Sequence, residues 1–118
     1  MKNCNLVIIS GIIMDDLKVM EGKFGPMGSI KLMITETKKT AQGFNDKKCL
    51  IMLSLLGKLA QKAQSLQLHK GHEIFVKGKL ILDEWTKPDG TKGFMHKIQV
   101  EDLYDVTGRL EFDNDEHR

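Results

Sequence analysis

Alternating apolar and polar residues predict two long strands between residues 72 and 106. The even positions of the first strand are apolar, namely Ile74, Val76, Leu80 and Leu82. Because successive side chains of a strand point to opposite faces, these four should share one dry face. The odd positions carry two lysines and two aromatic rings among Phe75, Lys77, Lys79, Ile81, Asp83 and Trp85. A Pro-Asp-Gly turn at residues 87–90 joins this strand to the next, which begins at Phe94.

This predicted hairpin has one dry face and one basic face that also carries aromatic rings. Such a surface is typical of sheets that bind single-stranded nucleic acid. Two more lysines, Lys87 and Lys92, flank the tip of the hairpin. An ordinary amphipathic hairpin with a solvated face explains the same residues, so the hairpin alone leaves both interpretations open.

The first half of the chain predicts further strands. The first runs from Leu6 to Ile13 and contains Gly11, which indicates a bulge or a sharp bend, as at the corner of a small barrel. Residues 17–20 are expected to continue it as a short, bent extension. Residues 21–28 contain three glycines and a proline, which predict a loop. The second strand is expected from Ile30 to Thr37.

The polar residues 38–48 predict a flexible loop that carries one aromatic ring, Phe44. Two roles for this ring remain open: it tucks back onto the body, or it stacks on a base. The third strand, from Cys49 to Leu56, is apolar at nearly every position. Such a run predicts burial on both faces, by the core on one side and by a subunit or a ligand on the other.

Residues 57–66 change to a helical period, because Leu59, Ala63 and Leu66 form one apolar stripe. The predicted order is therefore three strands, one helix and two long strands. This is the order of the OB-fold, a five-stranded Greek-key barrel. We expect an all-β OB-fold domain with one short helix and a long hairpin between its fourth and fifth strands at residues 1–107, followed by a short acidic tail at residues 108–118.

The formal charge of +2 is unevenly distributed along the 118 residues. Residues 111–118 contain four acids and one arginine, a net charge of −3, so the other 110 residues, with 17 basic and 12 acidic side chains, carry +5. A mildly basic body favours a polyanion as the partner. The imbalance is small, and a surface that merely keeps the fold soluble has the same composition.

The two cysteines, Cys4 and Cys49, form no CxxC motif and are too few for a disulfide scaffold. They predict reduced, mostly buried thiols in a cytoplasmic protein. No apolar run is long enough for a membrane span. The apolar stretch after Lys2 breaks at Ser10-Gly11 and is followed by two aspartates, so no signal peptide is expected.

Several short segments follow one another in a family-specific order and spacing. They are Asn5-Leu-Val-Ile-Ile-Ser-Gly11 with Asp16, Leu55-Leu-Gly-Lys-Leu-Ala60, Lys70-Gly71, Ile74-Phe-Val-Lys-Gly-Lys-Leu80 running to Trp85, and Asp89-Gly90. Together they resemble the bacterial single-stranded DNA-binding protein family. The resemblance spans residues 5–106. It implies OB-folds that assemble as a homotetramer, or at least a dimer, and wrap single-stranded DNA through stacking aromatics and basic residues. It also implies that Trp85 is the family's stacking tryptophan.

The departures from the family pattern imply weaker binding. Leu50 and Leu56 replace aromatic residues, Met52 occupies a position where a basic residue is common, and Ile81 and Asp83 replace basic residues. Each lost base–aromatic stack removes about 1–3 kcal/mol. The family's acidic tail with a hydrophobic tip is not matched by residues 113–118, so the resemblance gives no support for recruiting replication and repair enzymes through such a tip.

The first functional hypothesis is sequence-tolerant binding of single-stranded DNA in replication, recombination or repair. The candidate stacking residues are Trp85, Phe44 and Phe94, with Met33 and Met52 as softer apolar platforms. The candidate phosphate contacts are Lys31, Lys38, Lys39, Lys48, Lys77, Lys79, Lys87, Lys92 and Lys97. For each lysine a solvated strand face is the competing explanation, and Phe94 is equally compatible with the core.

The second hypothesis is an adaptor similar to the small primosomal OB-fold proteins. Its exposed third strand, with Leu50, Met52 and Leu56, would bind a protein, and single-stranded DNA would bind only weakly. An enzyme is not expected, because no catalytic grouping of acids, serine, cysteine or histidine is readable. No cofactor is expected, and a zinc site from His69, His72, His96 and Cys49 is disfavoured by the spacing of these residues.

Overall fold

The computed structural model describes residues 2–108 and contains, within them, six strands and one helix. The elements are β1 (Val7–Ile13), β2 (Lys18–Gly22), β3 (Gly25–Thr40), β4 (Gly43–Leu56), α1 (Lys58–Ser65), β5 (Glu73–Thr86) and β6 (Lys92–Asp105). A mainly β chain with one short helix before the last two long strands is therefore confirmed. The acidic tail expected at residues 108–118 lies, apart from Gly108, outside the described residues.

Five of the strands close into a barrel, and β2 flanks it. The sheet order is β1-β5-β6-β4-β3-β2, and a further pairing of β1 with β3 closes the ring. At this closure Ile12 and Ile13 lie opposite Met33 and Leu32. The parallel contact between β4 and β6 consists of only two residue pairs, Leu53 with Ile98 and Ser54 with Gln99. The short seam lets the far ends of β4 and β6 separate.

The barrel interior is apolar because alternate side chains of each long strand point inward. The largest fully buried side chains are Ile13, Ile30, Leu32, Leu53, Leu55, Ile74, Leu103 and Val76. Helix α1 packs against β3, β4 and β6 and buries Ala60 and Ala63. Leu66 of the predicted stripe is instead 37% exposed, because the helix ends at Ser65. Burying one Leu or Ile contributes about 1.5–3 kcal/mol, so this interior holds the barrel together.

A group of polar contacts fastens α1 to β6. The Lys62 ammonium lies 3.2 Å from Asp102 Oδ1, and the Tyr104 hydroxyl donates a hydrogen bond to Asp102 Oδ2. Hydrogen bonds from the Tyr104 side chain and the Leu103 backbone, with Lys62 beside them, lower the pKa of Asp102 to about 2. The carboxylate is therefore ionised at neutral pH, and its ion pair with Lys62 is present there.

Gly11 lies where β1 approaches β3 most closely. The pairing of β1 with β5 runs through Gly11 without a shift, so the predicted bulge is absent from this pairing. A Cβ atom at this position would come 2.4 Å from the Met33 carbonyl oxygen, closer than any side chain tolerates. Glycine is needed at this corner because it permits the barrel to close.

Residues 18–29 form a short hairpin, so the bent extension predicted at residues 17–20 and the loop predicted at residues 21–28 are wrong. β2 pairs with the start of β3 from Lys18–Ser29 to Gly22–Gly25, which leaves a two-residue turn at Lys23 and Phe24. The glycines and the proline indicated irregular backbone. In the structure Gly25, at a φ of 120°, makes the tight turn possible, and the rest of the segment remains extended.

The predicted flexible loop at residues 38–48 is also wrong, because β3 and β4 continue as a ladder to Thr40–Gly43. Residues 35–48 pair only with each other, and we call them the first arm. Its polar residues gave no alternation to recognise as a strand. The ladder is supported by a hydrogen bond from Thr37 Oγ1 to Asp46 Oδ1 at 2.7 Å.

A second arm, residues 81–97, extends the β5–β6 hairpin beyond the barrel, where its strands pair only with each other. The predicted dry face of this hairpin is correct for Ile74 and Val76, which are fully buried, and wrong for Leu80 and Leu82, which are 46% and 49% exposed. The alternation continues past Gly78, but β1, which covers the strand up to that point, ends there.

The apolar run in β4 divides between two faces. Leu53 and Leu55 point inward and are buried, as predicted for the core side, whereas Leu50 and Leu56 lie on the opposite face and are exposed in the single chain. Burial of that second face by a subunit or a ligand stays a prediction. Cys49 belongs to the part of β4 that leaves the barrel, so it is exposed, and Cys4 precedes β1 and is exposed too. The prediction of mostly buried thiols is wrong.

A candidate nucleic-acid interface

The outer face of the sheet, meaning the side opposite the barrel interior, is defined by the strand register. Residues directly opposite each other in an antiparallel ladder share a face. Because Ile30 and Leu53 point inward as a pair, the neighbouring pair of Lys31 and Met52 points outward. Continuing along β3 and β4, the outer face carries Met33 with Leu50, Thr35 with Lys48, Thr37 with Asp46, and Lys39 with Phe44.

The same face continues onto the second arm across the β4–β6 seam. Leu53 and Ile98 both point into the core, so Ser54 and Gln99 point outward. Alternation along β6 then places Lys97, Met95 and Gly93 outward, and their partners across the ladder are Ile81, Asp83 and Trp85. Both arms therefore present an aromatic ring on the same face, Phe44 on the first and Trp85 on the second.

Trp85 is held in place by a glycine on the neighbouring strand. It lies directly opposite Gly93, and a Cβ atom on Gly93 would come within 2.5 Å of the indole ring. The ring therefore covers the glycine backbone while 43% of the residue stays exposed. An aromatic side chain over a strand glycine is a known stabilising pair. The result is a half-exposed indole in a fixed position.

The turn at the tip of the second arm is closely hydrogen-bonded. The Gly90 amide donates to the Lys87 carbonyl at 2.9 Å, and the Lys87 amide donates to the Thr91 carbonyl at 2.8 Å. The Thr91 hydroxyl and amide both donate to Asp89 Oδ1, and these bonds lower the pKa of Asp89. The predicted Pro-Asp-Gly turn is confirmed. It keeps Lys87 next to the strand ends that carry Trp85.

A groove of about 210 Å³ opens between the bases of the two arms. Its lining is Lys31, Leu50, Ile51, Met52, Met95 and His96. Flexible, polarisable methionine side chains adapt to flat ligands of different shapes. With rings on both arms and an apolar groove between them, the outer face can accommodate a chain of bases.

Among the described residues, Phe44 and most of the candidate lysines are free of contacts that a nucleic acid would have to replace. Phe44 is 77% exposed, so it does not tuck back onto the body. Lys97 Nζ lies 2.8 Å from Asp83 Oδ2, and Lys31 Nζ lies 3.6 Å from Asp15 Oδ2. The remaining candidates have no carboxylate partner within residues 2–108, and they are Lys38, Lys39, Lys48, Lys77, Lys79, Lys87 and Lys92. Of the acids within residues 2–108, a phosphate would have to compete with Asp15 at Lys31 and with Asp83 at Lys97.

Three predicted site residues do not share the outer face. Lys38, opposite Asn45, lies on the reverse face of the first arm. Phe94, opposite Glu84, and Lys92, opposite Thr86, lie on the reverse face of the second arm. Phe94 is 69% exposed, so the alternative placement in the core is wrong as well. Lys92 still lines a groove together with Glu84, Trp85 and Thr86.

Sequence reasoning missed three residues that line the groove, Ile51, Met95 and His96. The signal that could have found Met95 is the ladder register. Counting outward from the turn pairs Trp85 with Gly93 and Asp83 with Met95, which puts Met95 on the tryptophan's face. His96 lies on the other face of the strand, and it reaches the groove because β4 and β6 diverge there.

The four residues of the disfavoured zinc site do not come together. His69 and His72 do meet, with their Nε2 atoms 2.9 Å apart, and His72 Nδ1 lies 3.3 Å from Asp105 Oδ2. Cys49 pairs with Ile34 on β3, and His96 pairs with Leu82 on the second arm. Among residues 2–108, no three His, Cys, Asp or Glu side chains are grouped so that they could hold a metal ion.

The profile of the Single-strand binding protein family matches residues 4–113. The chain belongs to this family. It is 30% identical over 104 residues to the single-stranded DNA-binding protein of Wolinella succinogenes, a match that covers 84% of this chain and 62% of the relative. The protein of the same name from Helicobacter hepaticus is also 30% identical over 104 residues, with 84% and 59% coverage. The chain thus spans about 60% of the length of these relatives.

Solved structures confirm the predicted OB-fold. The Plasmodium falciparum SSB in complex with ssDNA superposes with a TM-score of 0.77 at 15% identity, covering 89% of this chain and 97% of that one. A deletion mutant of the single-stranded DNA binding protein from Thermus aquaticus gives 0.75 at 23% identity, covering 90% and 52%. The small single-stranded DNA-binding protein from Streptomyces coelicolor gives 0.68 at 17%, covering 85% and 92%. Within residues 2–108, no helix has the length and apolar character needed to cross a bilayer.

Proposed function

We propose that this protein binds single-stranded DNA along the outer face, without sequence preference and without catalysing a reaction. The observation that carries the proposal is the presence of Trp85 and Phe44 on one face of two neighbouring arms, with an apolar groove between their bases. Base stacking on aromatic rings tolerates any sequence, because every base has a flat π face. Membership of the single-strand binding family supports the same ligand.

In this proposal the lysines contact phosphates and do not read bases. Lysine is a flexible point charge and is suited to backbone contacts, whereas base recognition favours the planar arginine fork. Lys39 and Lys48 lie beside Phe44 on the first arm, and Lys79 lies at the base of the second. Lys77 and Lys87 extend the positive surface at the base and tip of that arm.

The affinity per subunit is expected to be modest. Leu50, Met52 and Leu56 provide apolar surface on β4 but no aromatic stacking platform. Asp83 stands on the outer face and neutralises Lys97 at 2.8 Å. Fewer stacks and fewer uncompensated cations both weaken binding.

We further propose that the chain self-associates, as a dimer or a tetramer, through surfaces away from the outer face. The reverse side of the second arm exposes Leu82 and Phe94, and Leu80 lies beside them at its base. Leu6 and Ile8 are more than half exposed near β1. Exposed apolar surface of this kind marks protein contacts.

This proposal includes roles in replication, recombination or repair, contacts with proteins of those processes and a cytoplasmic location. The adaptor hypothesis has less support, because the family and relatives reported above are described by single-stranded DNA binding.

The proposal is tested by titrating oligo(dT) into the protein while the fluorescence of Trp85, its single tryptophan, is followed at two salt concentrations. We expect quenching that requires more oligonucleotide at the higher salt, because phosphate neutralisation releases counterions. A duplex of the same length is the control and should compete poorly. The absence of quenching at low salt would overturn the proposal.

A further inference from the structure

The turn between β2 and β3 displays the most exposed large apolar side chain of the described residues. Phe24 is 94% exposed, more than Phe44 at 77% or Met20 at 71%. It occupies a two-residue turn between Gly22 and Gly25, and its one described ring contact is Lys23 Nζ, 5.7 Å from the ring centroid. A phenylalanine in water contributes nothing to the barrel core, and its ring is free to contact a ligand.

Phe24 stands at the far end of the outer face. From Lys31 and Met52 the face continues along the same ladder through Ser29 and Ser54 to Met27 and Leu56. Met20 lies opposite Met27 on β2 and extends the face by one strand. A groove of about 220 Å³ beside the ring is lined by Lys23, Phe24, Gly25, Pro26, Met27, Leu56 and Gly57. The ring therefore forms one wall of an apolar groove that is continuous with the surface proposed to bind DNA.

The charges around this end are suited to a polyanion. A second groove, of about 250 Å³, lies between β2 and the β4–β6 seam and is lined in part by Lys18, Ser29 and Lys97. Lys18 and Lys23 have no carboxylate partner among the described side chains. The nearest acid of β2, Glu21, lies opposite Pro26 and, by alternation, points away from the face of Met20. Rings beside uncompensated lysines are what single strands require.

We propose that Phe24 stacks on a base and that single-stranded DNA runs along β3 and β4 from the arms to this turn. This inference rests on the proposed function of the outer face. The path from Lys39 to Gly25 covers about 45 Å at roughly 3.3 Å per strand residue. An OB-fold engages about 4–16 nucleotides of a single strand, and a path of this length falls within that range. Phe24 supplies an aromatic platform where the apolar residues Leu56 and Met27 do not.

The first test compares Phe24→Ala with Phe24→Tyr in titrations of oligo(dT) of about 16 nucleotides, read out by Trp85 quenching. We expect Phe24→Ala to weaken binding by about fivefold to 150-fold, the equivalent of one lost stack, and Phe24→Tyr to bind nearly as the parent does. Both variants should unfold at the parent's urea concentration, because the ring is almost wholly exposed.

A second test moves the fluorophore to the turn. In the double variant Trp85→Phe with Phe24→Trp, the single indole reports on the turn alone. We expect oligo(dT) to quench this fluorescence at low salt, and we expect the quenching to require more oligonucleotide as salt rises. Unquenched fluorescence while a labelled oligonucleotide is bound, as seen by its anisotropy, would overturn the inference.

The outcomes separate this inference from the proposed function. If Trp85→Ala weakens binding and Phe24→Ala does not, the turn lies off the path and only the inference fails. If neither substitution changes the affinity, stacking on the outer face fails altogether. If Phe24→Ala instead alters the sedimentation of the DNA-free protein and leaves DNA affinity unchanged, the ring is a contact between copies of the chain and the inference is overturned.

Discussion

The barrel and its two arms are built from the same strands but differ in how far alternate side chains are buried. Inside the barrel, alternation along a strand separates buried from exposed residues, and Ile74 and Val76 are fully buried. A few residues further along β5, Leu80 and Leu82 continue the same alternation and are about half exposed. The difference lies in what covers the strand, because β1 pairs with β5 only as far as Gly78. The barrel holds the fold, and the arms display side chains.

The largest expected effect comes from removing a core side chain, with an exposed residue of the same strand as its control. Leu53→Ala should lower the free energy of unfolding by about 2–5 kcal/mol, because it leaves a cavity in a fully buried site. Leu50→Ala, three residues away on the same strand and 59% exposed, should change it by less than about 0.5 kcal/mol. Urea unfolding followed by circular dichroism measures both. If both variants lost the same free energy of unfolding, Leu50 would have to be covered in solution, and the contrast between buried and displayed side chains would not hold.

A substitution on the arm should reverse this pattern. Trp85→Ala should cost about 1–3 kcal/mol of oligo(dT) affinity, because the indole stacks on a base. It should lower the unfolding midpoint far less than Leu53→Ala does, because the ring covers one strand glycine and no core. Trp85→Phe, which keeps a ring, is the matched control and should lose less. Anisotropy of a labelled oligonucleotide measures both variants, since neither has tryptophan fluorescence. Unchanged affinity in the alanine variant would show that Trp85 is not a stacking residue.

Gly93→Ala sharpens the comparison by disturbing the ring without removing it. The new Cβ would come 2.5 Å from the indole, so the ring must move. We expect a loss of affinity smaller than that of Trp85→Ala, with a shift of the tryptophan emission maximum in the DNA-free protein. Thr91→Ala, at the same tip, is the control, and its emission should stay as in the parent. An unshifted emission and an unchanged affinity in Gly93→Ala would contradict the packing of the ring on the glycine.

A smaller effect is expected from releasing a lysine. Asp83→Asn removes the carboxylate 2.8 Å from Lys97, and the freed ammonium can then neutralise a phosphate. Affinity for oligo(dT) should rise, by about 0.2–1 kcal/mol at low salt, and the salt dependence should steepen by about 0.7 for one added phosphate contact. The double variant Asp83→Asn with Lys97→Gln should lose both gains. A steeper salt dependence that persists in the double variant would exclude Lys97 as its cause.

The smallest effect concerns the barrel alone. Because the pKa of Asp102 is lowered to about 2, its contacts with Tyr104, Leu103 and Lys62 stabilise the fold above the carboxyl's ordinary pKa, near 3.8, and are lost as the pH falls through about 2. Asp102→Asn should therefore be less stable than the parent at neutral pH. This difference in stability should shrink as the pH falls from 4 to 2, the range between the ordinary and the lowered pKa of the carboxyl. Thermal unfolding across this range measures it. If the difference in stability between Asp102→Asn and the parent stayed constant over this pH range, the ionised Asp102 carboxylate would not be its cause.

The barrel could be predicted from sequence because burial leaves a pattern. A strand or helix that buries one side must carry apolar residues on that side at a regular spacing. This spacing is visible around Leu32, Leu53 and Ile74 in the strands and at Leu59 and Ala63 in the helix. The arms could not be predicted in the same way. Residues 38–48 have no inward side and therefore no alternation, although a regular ladder joins them.

The candidate site was only partly predictable for a related reason. Trp85 was identified from the strand alternation and the family resemblance, and Phe44 as the one aromatic ring of the polar residues 38–48. Their common face, however, depends on the register between strands distant in sequence. Phe94 was assigned to the same surface and lies on the reverse one, since it pairs with Glu84. Phe24 went unnoticed because its glycine-rich surroundings predicted a loop, whereas they form a tight turn on the outer face.

Asn5 has a consequence for how the protein avoids unwanted partners. Its side-chain amide donates to the Leu80 carbonyl at 2.8 Å, and its amide oxygen accepts from the Leu80 backbone N–H at 2.8 Å. These are the two bonds that a neighbouring strand would make, just beyond the last pair of β1 and β5 at Val7 and Gly78. A bare edge beside exposed leucines invites the edge-to-edge strand addition that begins aggregation. One amide caps both backbone groups of Leu80, so a partner that contacts the neighbouring leucines meets side chains at this position and finds no open strand edge.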